Sequence, residues 1–402
     1  MSSEIWQSFA VDSVALYLTA IFGLIALFSL IYSIVTIRRF EFKDEYYVMF
    51  LILVGTGIAF LYGRNLILLF TFWELNTFAV WRLVGYYRDD WNVDYAERIF
   101  LINFFAAVLM LVGIGIIYSH TWTFDLNSLK GASVPGIASY LILIGILTKS
   151  ATIPLHIWLP FAYRSAPIPV VALLAGISEN LGLVIFLRLF RETLTMPPSF
   201  YYVVAIIAVC SIIVGGGVAL ITNRIRSIYA YSTISQLGFI LLGLAVGGFY
   251  GITGALLYIL AHALAKPGIL YSLGIVEERT KAIEIGGIGF GKELPSLGPI
   301  FAILCGSIIG LPPFIGFFGK LGIILATIKV NIPLASIAIG GAVITLLYLV
   351  RLYNGIFKGP SKIKIQSGPD GLIYLAAVLA FISIIAALLL FFPIDIFSGG
   401  IL

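Results

Sequence analysis

The residues of this sequence that could carry chemistry are ionisable groups inside long apolar segments. In YILAHALAKPGILYSLG, His262 and Lys266 are four residues apart and therefore lie on one helix face. They can share a proton path, because desolvation lowers a lysine pKa from about 10.4 and lets the amine alternate between charged and neutral forms. Pro267 follows and leaves the carbonyl of Ala263 without its donor, so we expect a helix break there. The pattern predicts proton handling.

Two other segments place a lysine beside proline. In GILTKSATIPLHIWLP, Lys149 precedes Pro154, and in GSIIGLPPFIGFFGKLG, Pro312 and Pro313 lie roughly two turns before Lys320. Both segments predict interrupted helices. Broken helices at corresponding places in two halves indicate inverted repeats with ion sites near the bilayer midplane.

Other polar groups in these apolar segments are candidates for the same path. Glu74, in FWELNTF, would hold a nearby lysine charged until the pairing moves. Ser232 and Ser235 could carry water or hydroxyl links, although small polar residues are equally often packing groups at helix contacts. Three arginines close to segment ends have snorkelling to the interface as an equal alternative: Arg82, Arg188 and Arg351.

The composition indicates what solvent surrounds these segments. Of 402 residues, 61% are hydrophobic and 11% are charged, against roughly 25% charged in soluble domains. Apolar runs long enough to cross a bilayer occur at about 11–37, 46–62, 66–86, 99–118, 135–153, 169–190, 201–222, 229–248, 251–275, 298–326, 331–357 and 371–394. A barrel strand would alternate apolar and polar residues, which these runs do not. We predict an all-α, polytopic membrane protein of about twelve transmembrane helices.

The order of the spans predicts internal symmetry. Spans 2–6 and 7–11 are five-helix units, and each has its broken helix in fourth place. Because five is odd, the second unit is inverted relative to the first. The expected organisation is an N-terminal span and basic loop (1–45), two repeats (46–191 and 192–360) and a C-terminal span (361–402).

Basic residues predict the orientation. Loops after even-numbered spans carry four (Arg64, Lys130, Arg191, Lys329), and loops after odd-numbered spans carry fourteen (Arg38, Arg39, Lys43, Arg88, Arg98, Arg164, Arg224, Arg226, Arg279, Lys281, Lys292, Lys358, Lys362, Lys364). By the positive-inside rule, both termini face outward from the cell membrane. Topology alone explains these charges, and nothing else supports nucleic-acid binding. The N-terminus lacks the basic region and cleavage site of a signal peptide, so we expect the first span to be retained.

Motifs for bound groups are absent from the sequence. Cys210 and Cys305 have no CxxC partner and no nearby histidine, so neither a metal site nor a disulfide framework is predicted. The sequence contains no Rossmann GxGxxG and no P-loop. We expect no cofactor and no catalytic centre in this chain.

Five stretches together resemble the antiporter-like subunits of respiratory complex I, Mrp cation/proton antiporters and energy-converting membrane-bound hydrogenases. They are FWELNTF, TKSATIPLHIWLP followed by SAPIPVVALLAGI, RIRSIYAYSTISQLGF, LAHALAKPGILYSLGIVEERT and GLPPFIGFFGKLG. They occur in family order over about residues 12–360. As a set they are highly specific, although each alone would be weak.

The resemblance implies two half-channels joined by a polar axis along the membrane midplane. Matched position by position, it assigns Glu74 and Lys149 to the family's glutamate and its partner lysine, His262 and Lys266 to the connecting pair, and Lys320 to the position after the second break. It also implies coupling to redox chemistry in partners, which would include other membrane subunits, further antiporter-like subunits among them, and indirectly peripheral iron–sulfur subunits.

The sequence departs from the family pattern in two places. Asp12 resembles the start of the family's third span, so the first two spans are expected to be absent. The helix after SAPIPVVALL has Asn180 where the family carries a central lysine, with Glu179 beside it. Either Glu179 substitutes with opposite charge, or the first half-channel is degenerate.

Three functions remain open. The leading one is a proton- or sodium-translocating subunit of a redox-driven complex that is NADH/quinone- or ferredoxin-linked and hydrogenase-like. The second is an Mrp-type cation/proton antiporter subunit. The third is a non-pumping structural membrane subunit, which Asn180 favours and the other retained charges oppose.

Overall fold

The fold is described by a computed structural model for residues 8–37, 41–361 and 371–389. These residues form fourteen helices: α1 (Ser13–Thr36), α2 (Lys43–Tyr62), α3 (Leu66–Val84), α4 (Asp90–Thr121), α5 (Gly136–Lys149), α6 (Trp158–Ser165), α7 (Ile168–Arg191), α8 (Pro198–Ile221), α9 (Ile225–Val246), α10 (Gly248–Thr280), α11 (Leu297–Ile309), α12 (Ile315–Val330), α13 (Ile332–Phe357) and α14 (Leu372–Leu389). Within the described ranges, extended pairing is limited to isolated bridges. The predicted all-helical class is confirmed.

Helix length and composition show which helices can cross the bilayer. Of the described helices, nine are long and apolar enough to cross a membrane, and α5, α11 and α14 are shorter apolar helices. The predicted run 298–326 is divided into α11 and α12, and in the run 135–153 helix α5 stops at Lys149, with α6 beginning only at Trp158 beyond the run. Prolines lie in both interruptions, as predicted. The protein is a multi-pass membrane protein.

The prediction of a helix break at Pro267 is wrong. Helix α10 runs without interruption from Gly248 to Thr280. Proline removes only one backbone hydrogen bond, and packing of a buried helix against its neighbours can maintain the rest. Helix α11 packs closely beside this proline, since a Cβ on Gly268 would lie 2.8 Å from Leu304 Cδ1.

Burial separates central from peripheral helices. In α7 every residue of the most apolar stretch is buried, and in α9 and α10 94% are, whereas in α2, α4 and α13 only 39% are. All of these helices are apolar, so hydropathy does not distinguish them. The core therefore surrounds α7, α9 and α10.

The connecting segments gather on two opposite faces. On the first, which we call the N-terminal face, Phe9 pairs with Gly63, and Gly131 N–H donates to the Thr193 carbonyl (2.7 Å). On the second, the basic face, Ile225 N–H donates to the Ile283 carbonyl (2.9 Å). Loops after even-numbered predicted spans thus lie on the N-terminal face, and loops after odd-numbered predicted spans lie on the basic face. Four of the predicted basic-loop residues, Arg38, Arg39, Lys362 and Lys364, lie outside the described residues.

Candidate functional site

Lys149 occupies the C-terminal end of α5, where the first broken helix stops. Its side chain is only 3% exposed, and Nζ donates to Thr77 Oγ1 of α3 at 2.8 Å. Its amine also lies 5.3 Å from the ring centroid of Trp73. Trp158 Nε1, at the start of α6, donates to the Thr148 carbonyl at 2.6 Å and closes the interruption. The break thus places a buried amine against α3.

Glu74 also belongs to α3 and interacts electrostatically with Lys149. The two side chains do not form one of the ion pairs found among the described residues. One carboxylate oxygen, Glu74 Oε1, is buried and has no hydrogen-bond partner there. Because buried polar atoms are normally hydrogen-bonded, this oxygen is available to accept a hydrogen bond from a water or a moving donor.

Helix α7 packs against the end of α5, where the first broken helix is interrupted. A Cβ on Gly182 would lie 2.2 Å from Ser150 Oγ and 2.7 Å from the Ile146 carbonyl oxygen, so the helices meet where only glycine fits. Glu179 precedes Gly182 by three residues and therefore lies on the same side of α7. This contact brings the helix that carries Glu179 against the residue following Lys149.

Glu179 and Asn180 point to different surroundings. Glu179 is fully buried, and its Oε1 accepts a hydrogen bond from Tyr163 of α6 at 3.2 Å. Asn180 Nδ2 instead donates to the carbonyls of Ala175 (3.2 Å) and Gly176 (3.0 Å) in its own helix. Residues 174–178 form a π-helical turn, which alters the usual α-helical pairing. Asn180 satisfies this local backbone, whereas Glu179 faces other polar residues.

Helix α9 is the meeting point of these polar contacts. Tyr163 shares a hydrogen bond with Thr233 Oγ1 at 3.1 Å. Lys266 of α10 donates to the neighbouring Ser232 hydroxyl and, at 3.1 Å, to the Tyr229 carbonyl. Glu179 and Lys266 also interact electrostatically. One turn of α9 is therefore contacted by Tyr163, which binds Glu179, and by Lys266.

Helix α10 carries three polar residues at intervals of four: Tyr258, His262 and Lys266. This spacing aligns them along one face. His262 is fully buried, and neither ring nitrogen has a hydrogen-bond partner among the described residues. An imidazole can both donate and accept a proton, so His262 can connect the groups one turn before and after it.

Lys320 lies just beyond the second broken helix. Its Nζ donates to the carbonyls of Ile308 (3.0 Å) and Ile309 (3.3 Å), at the C-terminal end of α11. A helix C-terminus favours a positive charge. The Tyr258 hydroxyl donates to the same Ile308 carbonyl at 2.8 Å and also contacts Gln236 Oε1. Lys320 and Tyr258 of α10 therefore bind the same carbonyl oxygen, that of Ile308.

Only one of the auxiliary residues predicted from sequence contacts a lysine of the candidate site. Ser232 contacts Lys266, but Ser235 donates to the Ile212 carbonyl (2.9 Å) and holds α8. Arg351 donates to the Thr222 carbonyl at 2.7 Å on the basic face. Arg82, at the end of α3, binds Glu45 through Nε at 2.7 Å. Ser235 lies on α9 but its hydroxyl binds α8 and not Lys266 or His262, and the structure does not bring Arg82 or Arg351 to those residues either.

Arg188 belongs to an ionic cluster on the N-terminal face. It binds Asp12 at 2.7 Å and Glu192 at 2.9 Å, and Arg64 also contacts Asp12. Burial alone would raise the pKa of Asp12. Hydrogen bonds from Arg188 and the Ala15 N–H, with the charges of both arginines, outweigh burial and hold that pKa below its usual value. The cluster fastens the start of α1.

Several contact residues were not predicted from sequence: Thr77, Tyr163, Thr233 and Tyr258. Each carries a hydroxyl, and Thr77, Thr233 and Tyr258 lie within predicted apolar runs, which is the only sequence signal they carry. Tyr163 lies between two such runs and carries no comparable signal. A hydroxyl can satisfy itself on its own helix, as Thr77 does by also donating to the Trp73 carbonyl. Their role depends on which helix lies opposite.

The arrangement of broken helices, buried lysines and apolar spans defines a class of membrane subunit. A family model described as NADH:quinone oxidoreductase/Mrp antiporter, TM matches residues 63–345. The chain belongs to this family of antiporter-like membrane subunits.

Individual relatives agree with this membership. NADH-quinone oxidoreductase subunit M of Rickettsia typhi is 30% identical over 357 residues, 87% of this chain and 72% of the relative. F(420)H(2) dehydrogenase subunit N of Methanosarcina mazei is 28% identical over 393 residues, 93% and 80% of the two chains. A chain of the Mrp complex from Dietzia sp. DQ12-45-1b has a TM-score of 0.87 at 21% identity, covering 94% of this chain and 81% of its own, and thus shares the fold.

Proposed function

We propose that this protein translocates protons, sodium ions or both as a subunit of a multi-subunit, redox-driven membrane complex. The observation that carries the proposal is a succession of buried ionisable side chains extending from α5 to α12. Burying a charge in a membrane protein is costly, and such groups usually serve transport. Here four of them, Lys149, Glu179, Lys266 and Lys320, are at most 4% exposed.

In the proposed route, the first half-channel contains Glu74 and Lys149. The Ser150–Gly182 contact leads to Glu179, and Tyr163 and Thr233 extend the path to α9. Hydroxyls suit this position because each can donate and accept one proton.

The second half-channel begins at Lys266. The α10 face leads through His262 to Tyr258, whose hydroxyl and Lys320 share the Ile308 carbonyl. Lysine is suited to the route because it can change protonation state when desolvated, which arginine cannot do. Bridging waters would complete the steps that lack direct contacts.

The proposed topology has twelve spans, with α5–α6 and α11–α12 each forming one interrupted span. Two inverted five-helix repeats then occupy 46–191 and 192–360, flanked by segments 1–45 and 361–402. In each proposed repeat the interrupted span is the fourth of five, which supports this division. The basic face would lie in the cytoplasm and both termini outside the cell membrane.

Other subunits would supply the driving reaction. The chain has no cofactor-binding motif of its own, and two relatives carry the names of oxidoreductase and dehydrogenase subunits. We infer membrane partners, including further antiporter-like subunits, and an indirect link to peripheral iron–sulfur subunits. The donor reaction is proposed to be NADH/quinone- or ferredoxin-linked.

Two observations favour alternative functions. The structural similarity to an Mrp complex chain is compatible with a cation/proton antiporter energised by an ion gradient. Asn180 binds its own helix instead of extending the route, which favours a non-pumping scaffold. Glu179 opposes the scaffold alternative, because it supplies an ionisable group one residue away.

The experiment is ion pumping by the reconstituted complex with Lys149→Ala or Lys266→Ala. We expect pumping to be lost in both variants, while Lys329→Ala on the N-terminal face retains it. Proton movement is followed with a ΔpH-sensitive dye and sodium with radioactive sodium. Unchanged pumping in both variants would refute the channel. Co-purification with redox subunits supports the redox-driven complex, and co-purification with antiporter subunits alone supports the Mrp alternative.

A further inference from the structure

A pocket of about 440 Å³ opens on the basic face, between the start of α4, the end of α6, the start of α9 and the end of α10. Four basic side chains and one carboxylate line it: Arg164, Arg224, Arg226, Lys281 and Glu277. Its volume lies within the roughly 300–1,000 Å³ typical of small-ligand sites. The excess of positive charge indicates an anionic ligand.

The single carboxylate is already engaged. Glu277 accepts hydrogen bonds from Arg226 Nε and Nη2, the shortest at 2.9 Å. The third nitrogen of Arg226 donates to backbone carbonyls, including that of Ala166 at 2.8 Å. Glu277 and Arg226 therefore form the fixed floor of the pocket and neutralise each other.

The remaining cations are available to a ligand. Arg164 contacts the Ser227 hydroxyl through Nε and Nη2, at 3.1 and 2.9 Å, and neither Arg164 nor Lys281 pairs with a carboxylate of the described chain. Arg224 is 4.0 Å from Glu284, and both side chains of that pair are 59% exposed. Exposed pairs of this length are weak, so a doubly bonding anion could displace Glu284.

The pocket also has an apolar and aromatic side. Trp91 is 49% exposed and stacks edge-on against Tyr95, with centroids 5.6 Å apart, and Ile283 is 73% exposed. Tryptophan and tyrosine are enriched where headgroups meet acyl chains. Inorganic phosphate would use the cations but leave this surface unoccupied.

We propose that this pocket binds the phosphate headgroup of an anionic phospholipid, with Arg164 and Lys281 holding the phosphate and Trp91 covering the glycerol and upper acyl region. Basic pockets between transmembrane helices are suited to such headgroups. The site is separate from the proposed ion route and does not depend on it.

The test compares lipid binding by the delipidated complex carrying wild-type chain or the Arg164→Gln/Lys281→Gln double variant. Phosphatidylglycerol retained per complex is counted by native mass spectrometry during titration, with phosphatidylcholine as the zwitterionic comparison, whose headgroup has no net charge. We expect the double variant to bind phosphatidylglycerol at least about tenfold more weakly, because two charge-assisted contacts are lost. Arg98→Gln is the matched control, since Arg98 is 60% exposed on α4, pairs with Asp94 and does not line the pocket.

Soluble competitors distinguish the sources of the phosphate. Inorganic phosphate and glycerol phosphate should compete only weakly, since neither reaches the aromatic side. Three results would overturn the proposal: equal phosphatidylglycerol binding by variant and wild type, competition by inorganic phosphate at the lipid's own concentration, or loss of a neighbouring subunit from the variant complex. The last would assign the pocket to a partner's carboxylates.

Discussion

Replacing Glu179 with glutamine tests whether the route passes through α7. The substitution keeps the shape and the oxygen that accepts from Tyr163, but removes the group that can take up and release a proton. Glu179 forms no ion pair within the described residues, so the substitution breaks no direct charge contact and weakens only its electrostatic interaction with Lys266. We expect the free energy of unfolding to change by less than about 1 kcal/mol.

The transport rate should respond much more strongly. A positioned acid–base group contributes about 10²–10⁴-fold to proton transfer, so we expect Glu179→Gln to lower the pumping rate at least about 10²-fold, equivalent to about 2.7 kcal/mol in the barrier. The assay is dye-detected proton uptake by proteoliposomes containing the assembled complex, normalised to its redox turnover. Thermal unfolding of the same preparation establishes that the variant is folded.

Asn180→Ala is the neighbouring control with the opposite expectation. It removes two hydrogen bonds to buried carbonyls of the π-helical turn, which should cost about 1–3 kcal/mol of stability. Pumping per folded complex should remain near the wild-type rate. If Glu179→Gln pumps normally, the route does not use Glu179, and if Asn180→Ala alone stops pumping, the amide is the link.

Three further predictions follow from packing and charge. Gly316→Ala should lower the free energy of unfolding by at least about 1–3 kcal/mol in thermal unfolding, because its Cβ would lie 1.8 Å from a carbonyl oxygen. Gly217→Ala, which has open space around it, should be neutral or stabilising. Equal effects of the two substitutions would contradict the close helix contact at Gly316. Asp12→Asn should be less stable than wild type at pH 7. Since the folded pKa of Asp12 is lowered, this difference should shrink as pH falls below about 4 through the folded pKa, and a pH-independent difference would exclude the charge explanation. Tyr258→Phe should slow pumping without unfolding the complex, because it removes the hydroxyl bridging α9 to the carbonyl that holds Lys320; an unchanged rate would exclude Tyr258 from the route.

Local chemistry explains which parts of the architecture could be predicted. The apolar runs, the interruptions near Pro154 and Pro312, and the alternation of basic loops each depend on hydrophobic length, proline geometry or loop charge, and these are properties of short stretches. Pro267 shows the limit of such reasoning. The same proline chemistry predicted a break there, but α10 remains continuous within its tightly packed surroundings.

Tertiary structure alone determines which buried polar groups meet. Residue type identified Lys149, Lys266 and Lys320 as candidates, because a charge inside an apolar run is energetically unusual wherever the helix packs. The contrast between Glu179, directed to Tyr163, and Asn180, bound to its own helix, required the π-helical turn and the position of α6. A hydroxyl or carboxylate acquires its partner from the opposing helix, and helix packing depends on contacts between residues far apart in the chain.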